Sequence, residues 1–165
     1  MSDYNEDSIR SLQWNVHLRE RPGMYIGKLG DGSEPDDGIY VLLKEVIDNS
    51  IDEFMRGYGR NIEVTIKDSQ VSVRDYGRGM PLGKVIDCVA RINTGGKFDD
   101  QAYDTAIGMN GVGVKAVNAL STMFFVSSVV NGKKKSARFS AGEIVEDFPI
   151  CETDEHNGTF ISFLP

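Results

Sequence analysis

The stretch from Ile39 to Arg56, and the change of rhythm that follows it, restrict the possible folds more than any other part of the chain. Ile39, Leu42, Leu43, Val46, Ile47, Ile51 and Phe54 recur at helical spacing, and Gly57 and Gly59 end the pattern. The period then drops to two. Ile62-Glu63-Val64-Thr65-Ile66 and Val71-Ser72-Val73-Arg74 alternate around the turn Asp68-Ser69-Gln70, which predicts a β-hairpin. Asp75-Tyr76-Gly77-Arg78-Gly79-Met80-Pro81 interrupts the alternation, and a short helix is expected over Lys84 to Arg91. Residues 93 to 113 read as a glycine-punctuated loop and Val112 to Ser121 as a helix. Phe124 to Val130, Ser136 to Phe139 and Phe160 to Phe163 read as strands. Before the long helix, residues 1 to 20 suggest a polar arm. Arg21 to Gly27 reads as a turn with a short extended piece, and Gly30 to Gly38 as a loop. This order predicts an α+β two-layer sandwich, one mostly antiparallel sheet with helices on one face.

Composition excludes several classes. The chain has 165 residues, 40% apolar and 26% charged, which suits one domain with a full core. No apolar run approaches the roughly 20 residues of a membrane helix, and the acidic, polar start MSDYNEDSIRS is not a secretory signal. Cys88 and Cys151 lack metal-ligand spacing and read as reduced thiols, which fits the cytoplasm. The net charge of -7 argues against a domain that grips DNA by itself. The basic run Lys133-Lys134-Lys135, just after Asn131-Gly132, reads as a solvated hairpin end.

Three features carry chemistry. Glu45, Asn49 and Asp52 are spaced four and three apart, so a helix stacks them on one stripe beside its apolar face. A carboxylate there can serve as general base toward water, and an amide oxygen four residues on can complete a Mg²⁺ shell. Asp75-x-Gly77-x-Gly79 sets a carboxylate at a strand end, next to glycines that leave room for a flat ring with an exocyclic amine. Gly95-Gly96-Lys97 and Gly108-Met109-Asn110-Gly111-Val112-Gly113-Val114 run into a predicted helix and suit phosphate. The latter is neither a Walker A motif nor a Rossmann fingerprint, since no first βαβ unit surrounds it. Taken singly, each also has an ordinary reading, as a solvated helix face, a turn and a flexible loop.

In this order the elements resemble the boxes of the GHKL ATPase family (gyrase B, Hsp90, MutL and histidine-kinase catalytic domains). Glu45-Val46-Ile47-Asp48-Asn49-Ser50-Ile51-Asp52-Glu53, Asp75 to Met80, Gly108 to Gly113 and Gly158-Thr159 are similar to its four motifs. Arg21 to Gly27, Asn49 to Glu53, Gly95-Gly96-Lys97-Phe98 and Asn118-Ala119-Leu120-Ser121 narrow the resemblance to B subunits of type IIA topoisomerases, and Thr94 to Lys97 with the short Gly83 to Arg91 segment lean toward topoisomerase IV over gyrase.

The resemblance implies an arm over 1–20 and an ATP-binding domain over 21–165, with ATP and Mg²⁺ as cofactors. Glu45 is then the general base and Asn49 the Mg²⁺ ligand, with Asp52 beside them. Asp75 accepts from the adenine amine, with Thr159 alongside; Gly79, Met80 and Pro81 form the adenine wall, and Ile92 borders it. Lys97, Tyr103, Gly108, Met109, Asn110, Gly111, Val112, Gly113 and Val114 form a lid over the phosphates. Arg78 and Glu53 make a buried pair behind the site. Tyr4 and Ile9 belong to an arm that reaches the nucleotide of a partner copy.

It further implies an ATP-dependent homodimer of the whole protein, a DNA-cleaving A-type partner, DNA engaged only in the full complex, and sensitivity to ATP-competitive inhibitors. Ile107 stands where gyrase B usually has glycine, and Val130 where the family often has an arginine. The family's transducer lysine lies beyond Pro165, so residues 1–165 alone are expected to be a monomer with little or no turnover. A histidine kinase would need a phosphoacceptor helix, which neither His17 nor His156 supplies, and the Arg21 to Gly27 motif disfavours an Hsp90-like chaperone. A nucleotide-binding or dimerisation module without turnover is the remaining alternative.

Overall fold

The computed structural model describes residues 13–91 and 112–165. Tyr4, Ile9, Ile92, Lys97, Tyr103, Gly108, Met109, Asn110 and Gly111, together with the rest of the expected arm and lid on either side of them, lie outside the described residues. Helices α1 (Trp14–Glu20), α2 (Gly23–Ile26) and α3 (Gly38–Met55) are followed by strands β1 (Ile62–Lys67) and β2 (Gln70–Asp75). A 3-10 turn (Leu82–Lys84) leads into α4 (Val85–Ala90). Then come α5 (Gly113–Ala119), β3 (Met123–Val130), β4 (Lys133–Ser140), β5 (Glu143–Asp147), β6 (Cys151–Glu152) and β7 (Gly158–Leu164). Among the described residues the strands form one sheet, ordered β1-β2-β7-β3-β4-β5 with β6 against β4, and each pairing is antiparallel.

Turn chemistry fixes the hairpins. The two-residue turns Asp68-Ser69, Asn131-Gly132 and Ala141-Gly142 all sit at positive φ. That is the left-handed conformation whose twist matches the flanking strands. Alternation then sorts side chains into rows across the sheet. One row runs Val71, Phe163, Phe124, Phe139, and the next Val73, Ile161, Val126, Ala137. Both rows pack in one cluster with Leu42 and Val46 of α3, Val85 and Val89 of α4, and Val117 of α5. This is the expected α+β sandwich, its core lying between the sheet and the helices. Two residues further along the strands the row turns polar: Asp75, Thr159, Ser128 and Lys135.

Several local readings change. Arg21 to Gly27 is not extended. Pro22 presets the helical φ at the N-cap of α2, Gly27 ends the turn at φ 74, and Ile26 enters the core. Trp14–Glu20, which the sequence suggested as arm, is a helix packed on α5. Leu18 is fully buried with Ala116 and Ala119, and an Arg19 guanidinium nitrogen donates to the Ala119 carbonyl at 3.0 Å. Phe54, counted with the apolar face of α3, is 50% exposed, because the last turn of the helix runs past the core.

Strands β5 and β6 carry no alternation to detect, being exposed at each residue. The lysines after Asn131-Gly132 do follow a hairpin turn, but they are not simply solvated. Lys134 pairs with Glu155 at 2.5 Å, and Lys135, largely buried, pairs with Asp147 and the Phe148 carbonyl. Among the described residues no helix is long and apolar enough to cross a membrane.

If α1 is part of the folded body, Leu18→Ala should leave a cavity against α5. The expected destabilisation is about 2–4 kcal/mol, read as a lower denaturant midpoint with unchanged m-value. A loss below about 0.5 kcal/mol would mean that α1 is only loosely attached.

Candidate functional site

The chemistry-bearing residues meet where the apolar rows give out. Asp75, the last residue of β2, is 7% exposed. Its Oδ1 accepts from the main-chain N–H of Gly77 at 3.0 Å and of Thr159 at 3.1 Å, and its Oδ2 faces the Ser50 hydroxyl of α3 at 3.3 Å. Burial pushes its pKa above the ordinary carboxylate value, more than the two N–H groups and the Arg74 charge pull it down. Gly158 sits beside it at φ 138, where a methyl group would overlap the Asp75 carbonyl. Both the conformation and the space require glycine.

The segment after Asp75 is fastened by side chains. The Gly77 N–H goes to Asp75, the Arg78 N–H to Glu53 Oε2 at 3.2 Å, and the Met80 N–H to Ser128 Oγ at 2.8 Å. The Ser128 hydroxyl in turn donates to the Met80 carbonyl at 2.8 Å. Gly79 takes φ 77, and a Cβ there would stand 2.7 Å from the Val129 carbonyl and 2.9 Å from Ser128 Oγ.

Glu53 and Arg78 form a two-pronged ion pair, with bonds of 2.8 and 3.1 Å, and the guanidinium lies 4.3 Å over the Tyr58 ring. Burial alone would raise the Glu53 pKa. The side-chain and main-chain bonds from Arg78 outweigh it and hold the carboxyl below its ordinary value. The expected buried pair is therefore present as a pair but is not buried: the Arg78 side chain is 47% exposed, stacked on a tyrosine at the surface end of α3.

On α3, Glu45 and Asn49 are half-buried one turn apart, and Asp52 turns further inward at 6% exposure. The first residue of α5, Gly113, presses on Glu45 so closely that a methyl group would overlap the carboxylate. Val112 and Val114 flank that contact. Asn118 ties α5 to the end of α4 by donating to the Val89 carbonyl at 3.0 Å.

The structure thus brings Glu45, Asn49, Asp75, Gly79, Met80, Gly113 and Thr159 to one end of the sandwich. Pro81 is exposed beyond them. The sequence reading passed over Ser50 and Ser128. Both had a signal: Ser50 continues the apolar stripe Leu42, Val46 at four-residue spacing, and Ser128 stands at the inward parity of Phe124 and Val126. Among the described residues no group of three or more His, Cys, Asp or Glu could hold a metal ion.

Comparison with known proteins bears on family and fold. Residues 34–164 match the family model described as histidine kinase-, DNA gyrase B- and HSP90-like ATPase. The chain is 54% identical over 162 residues to the B subunit of DNA topoisomerase 4 of Borreliella burgdorferi, covering 98% of this chain and 27% of that protein. It is 39% identical over 178 residues to the B subunit of DNA gyrase of Rickettsia prowazekii, covering 99% of this chain and 21% of that protein. It therefore spans about a quarter of these curated relatives. The crystal structure of the 43K ATPase domain of Thermus thermophilus gyrase B in complex with an aminocoumarin superposes with a TM-score of 0.75 at 30% identity, covering 93% of this chain and 39% of that one. A buried carboxylate at the strand end, an acidic helix pressed on a glycine and a match over most of the chain lead to one conclusion: the chain belongs to the histidine kinase-, DNA gyrase B- and HSP90-like family of nucleotide-binding ATPase domains.

Proposed function

We propose that this chain is the ATP-binding part of the B subunit of a type IIA DNA topoisomerase, closer to topoisomerase IV than to gyrase, which couples ATP binding and hydrolysis to DNA strand passage in the cytoplasm. The observation that carries the reading is Asp75. It is a buried carboxylate whose Oδ1 already holds two main-chain N–H groups and whose Oδ2, among the described residues, has only a long bond from Ser50, so it keeps acceptor capacity for an exocyclic amine. The identity of 54% to the B subunit of a topoisomerase 4 supports the choice of relative.

The residues fit ATP·Mg²⁺. Gly79 and Met80 with Pro81 offer a wall for the base, and Thr159 lies beside Asp75. The absence of a side chain on Gly113 lets the Glu45 carboxylate lie directly against the start of α5. Asn49 would supply one oxygen to Mg²⁺, which favours few protein ligands together with phosphates and water. The metal would neutralise charge on the phosphates. Glu45 would take the proton of the attacking water, and Asn49, one turn on, would orient that end of the nucleotide. Asp52 and Arg78 stand further off. Asp52 is buried below this stripe and Arg78 braces the wall from outside through Glu53, so both act through neighbours. Lys97, Tyr103 and Gly108 to Gly111 would close over the phosphates with Val112 and Val114, Ile92 would border the base, and Tyr4 would reach a partner copy.

The net charge of -7 supports a domain that meets DNA only within the full complex, alongside a DNA-cleaving A-type partner and a second copy of its own kind. Residues 1–165 alone should be a monomer that binds ATP·Mg²⁺ or an ATP-competitive inhibitor with little turnover.

Two substitutions test the assignment. In a longer chain that hydrolyses ATP, Glu45→Gln should lower turnover by roughly 10²–10⁴ while ATP affinity stays within a few fold. Steady-state phosphate release within threefold of wild type would refute the general-base role. Asp75→Asn separates stability from recognition. The amide oxygen can keep both N–H bonds while the charge disappears. Because the folded carboxyl has a raised pKa, its ionised form costs stability. That cost is absent below the unfolded pKa near 3.9, grows as pH rises, and is complete above the folded pKa. The variant should melt no lower than wild type at pH 7, the difference should shrink toward acid pH, and ATP should no longer raise its melting temperature. Retained ATP-induced stabilisation would contradict the assignment.

A further inference from the structure

Resting on the ATP reading above, we infer that Ser128 is a positioning residue for the adenine wall, holding Met80 by both of its main-chain groups and so setting the gap between Gly79–Pro81 and Asp75. Ser128 is fully buried in the middle of β3. It occupies the inward position where the two preceding rows carry Phe124 and Val126. An apolar residue would extend that core. The serine instead accepts from the Met80 N–H and donates to the Met80 carbonyl, both at 2.8 Å, across 48 residues of sequence. One hydroxyl thereby does for Met80 what a neighbouring strand would do, with its single donor and an acceptor lone pair both used.

Among the described residues, the other side chains that fasten this segment act at its beginning, Asp75 on Gly77 and Glu53 on Arg78, while its end turns into the 3-10 turn through the Pro81 carbonyl and the Lys84 N–H at 2.8 Å. Ser128 secures the far end, next to Gly79, whose backbone already lies against the Val129 carbonyl. A flat base sliding between this wall and Asp75 meets a gap whose width depends on where Met80 stands. Without the hydroxyl the Met80 N–H and carbonyl would turn toward water and the wall would take up a wider range of positions. Binding would then have to reorder it, which lowers affinity. Glu45 and Asn49, on α3 at the phosphate end, would keep their places.

The test uses the 165-residue chain, with ATP·Mg²⁺ titrated by calorimetry against wild type, Ser128→Ala and Ser128→Cys, and amide exchange followed residue by residue. Each of the two hydrogen bonds that the hydroxyl makes is worth about 0.5–1.5 kcal/mol, and the share of that loss that falls on binding should leave Ser128→Ala roughly two- to tenfold weaker for ATP. In that variant exchange should speed up at Met80, while the Gly77 amide, held by Asp75, stays protected. A merely structural serine would lower protection across the sheet and leave affinity unchanged, and that result overturns the inference. So does an unprotected Met80 amide in the wild-type chain, a measurement that needs no variant and no ligand. Should Ser128→Ala not fold, Ser128→Cys decides the same point, since a thiol is a poorer donor and wild-type affinity would overturn the assignment. Failure of the wild-type chain to bind ATP would refute the ATP reading instead, with Met80 exchange still deciding whether the hydroxyl holds the wall.

Discussion

One buried carboxylate joins the parts of this molecule that would otherwise end separately. Asp75 closes β2, turns the chain at Gly77, holds the first paired residues of β7 through Thr159, and meets α3 at Ser50. Desolvation opposes a charge at that depth. Two main-chain N–H groups aimed at one oxygen offset part of that opposition, and burial still outweighs them, so the site holds its charge at a cost. The arrangement needs the two backbones to approach more closely than side chains allow, which is why Gly158 stands at φ 138 against the Asp75 carbonyl. The result is a sheet whose core-facing rows are aromatic and aliphatic at one end and polar at the other.

Helix α3 has to serve both ends. Leu42 and Val46 cover the apolar rows, while Glu45 and Asn49, on the margin of the same face, border the polar one. Its last turn runs past the core, where Glu53 leaves the helix surface to hold Arg78 and the main chain of the following segment. Helix α5 supports the arrangement from the other side: Gly113 abuts Glu45, Asn118 bonds the end of α4, and Ala116 and Ala119 receive Leu18 from α1.

The long helix and the first hairpin were legible because each has a clean period and ends in residues that impose their own geometry, Gly57 in one case and Asp68-Ser69 in the other. The grouping of Glu45, Asn49 and Asp75 was legible from spacing and motif order. Helix α2 was hidden because a single helical turn has no period, and the Pro and Gly that suggested a turn are equally the start and stop of that helix. Strand β5 was hidden because both of its faces meet solvent, so Ile144 and Val145 break the alternation that a half-buried strand would show. The serines at 50 and 128 read as neutral fillers in a sequence. Spacing and parity place both facing inward, but the partner of each lies across 25 residues in one case and 48 in the other, and no local pattern encodes that.

The segment from Gly77 to Pro81 has a history as well as a position. Among the described residues it has no strand partner, and the side chains that fasten it come from residues 53, 75 and 128. When the chain is synthesised from its N-terminus, Glu53 and Asp75 precede the segment, but Ser128 follows Met80 by 48 residues. Contacts of that separation form after local ones, since the intervening loop must first be closed. The surface facing Asp75 is therefore completed only once β3 has joined the sheet. A nascent chain shorter than that can possess the whole of α3 and the first hairpin and still lack the last fastener of this segment.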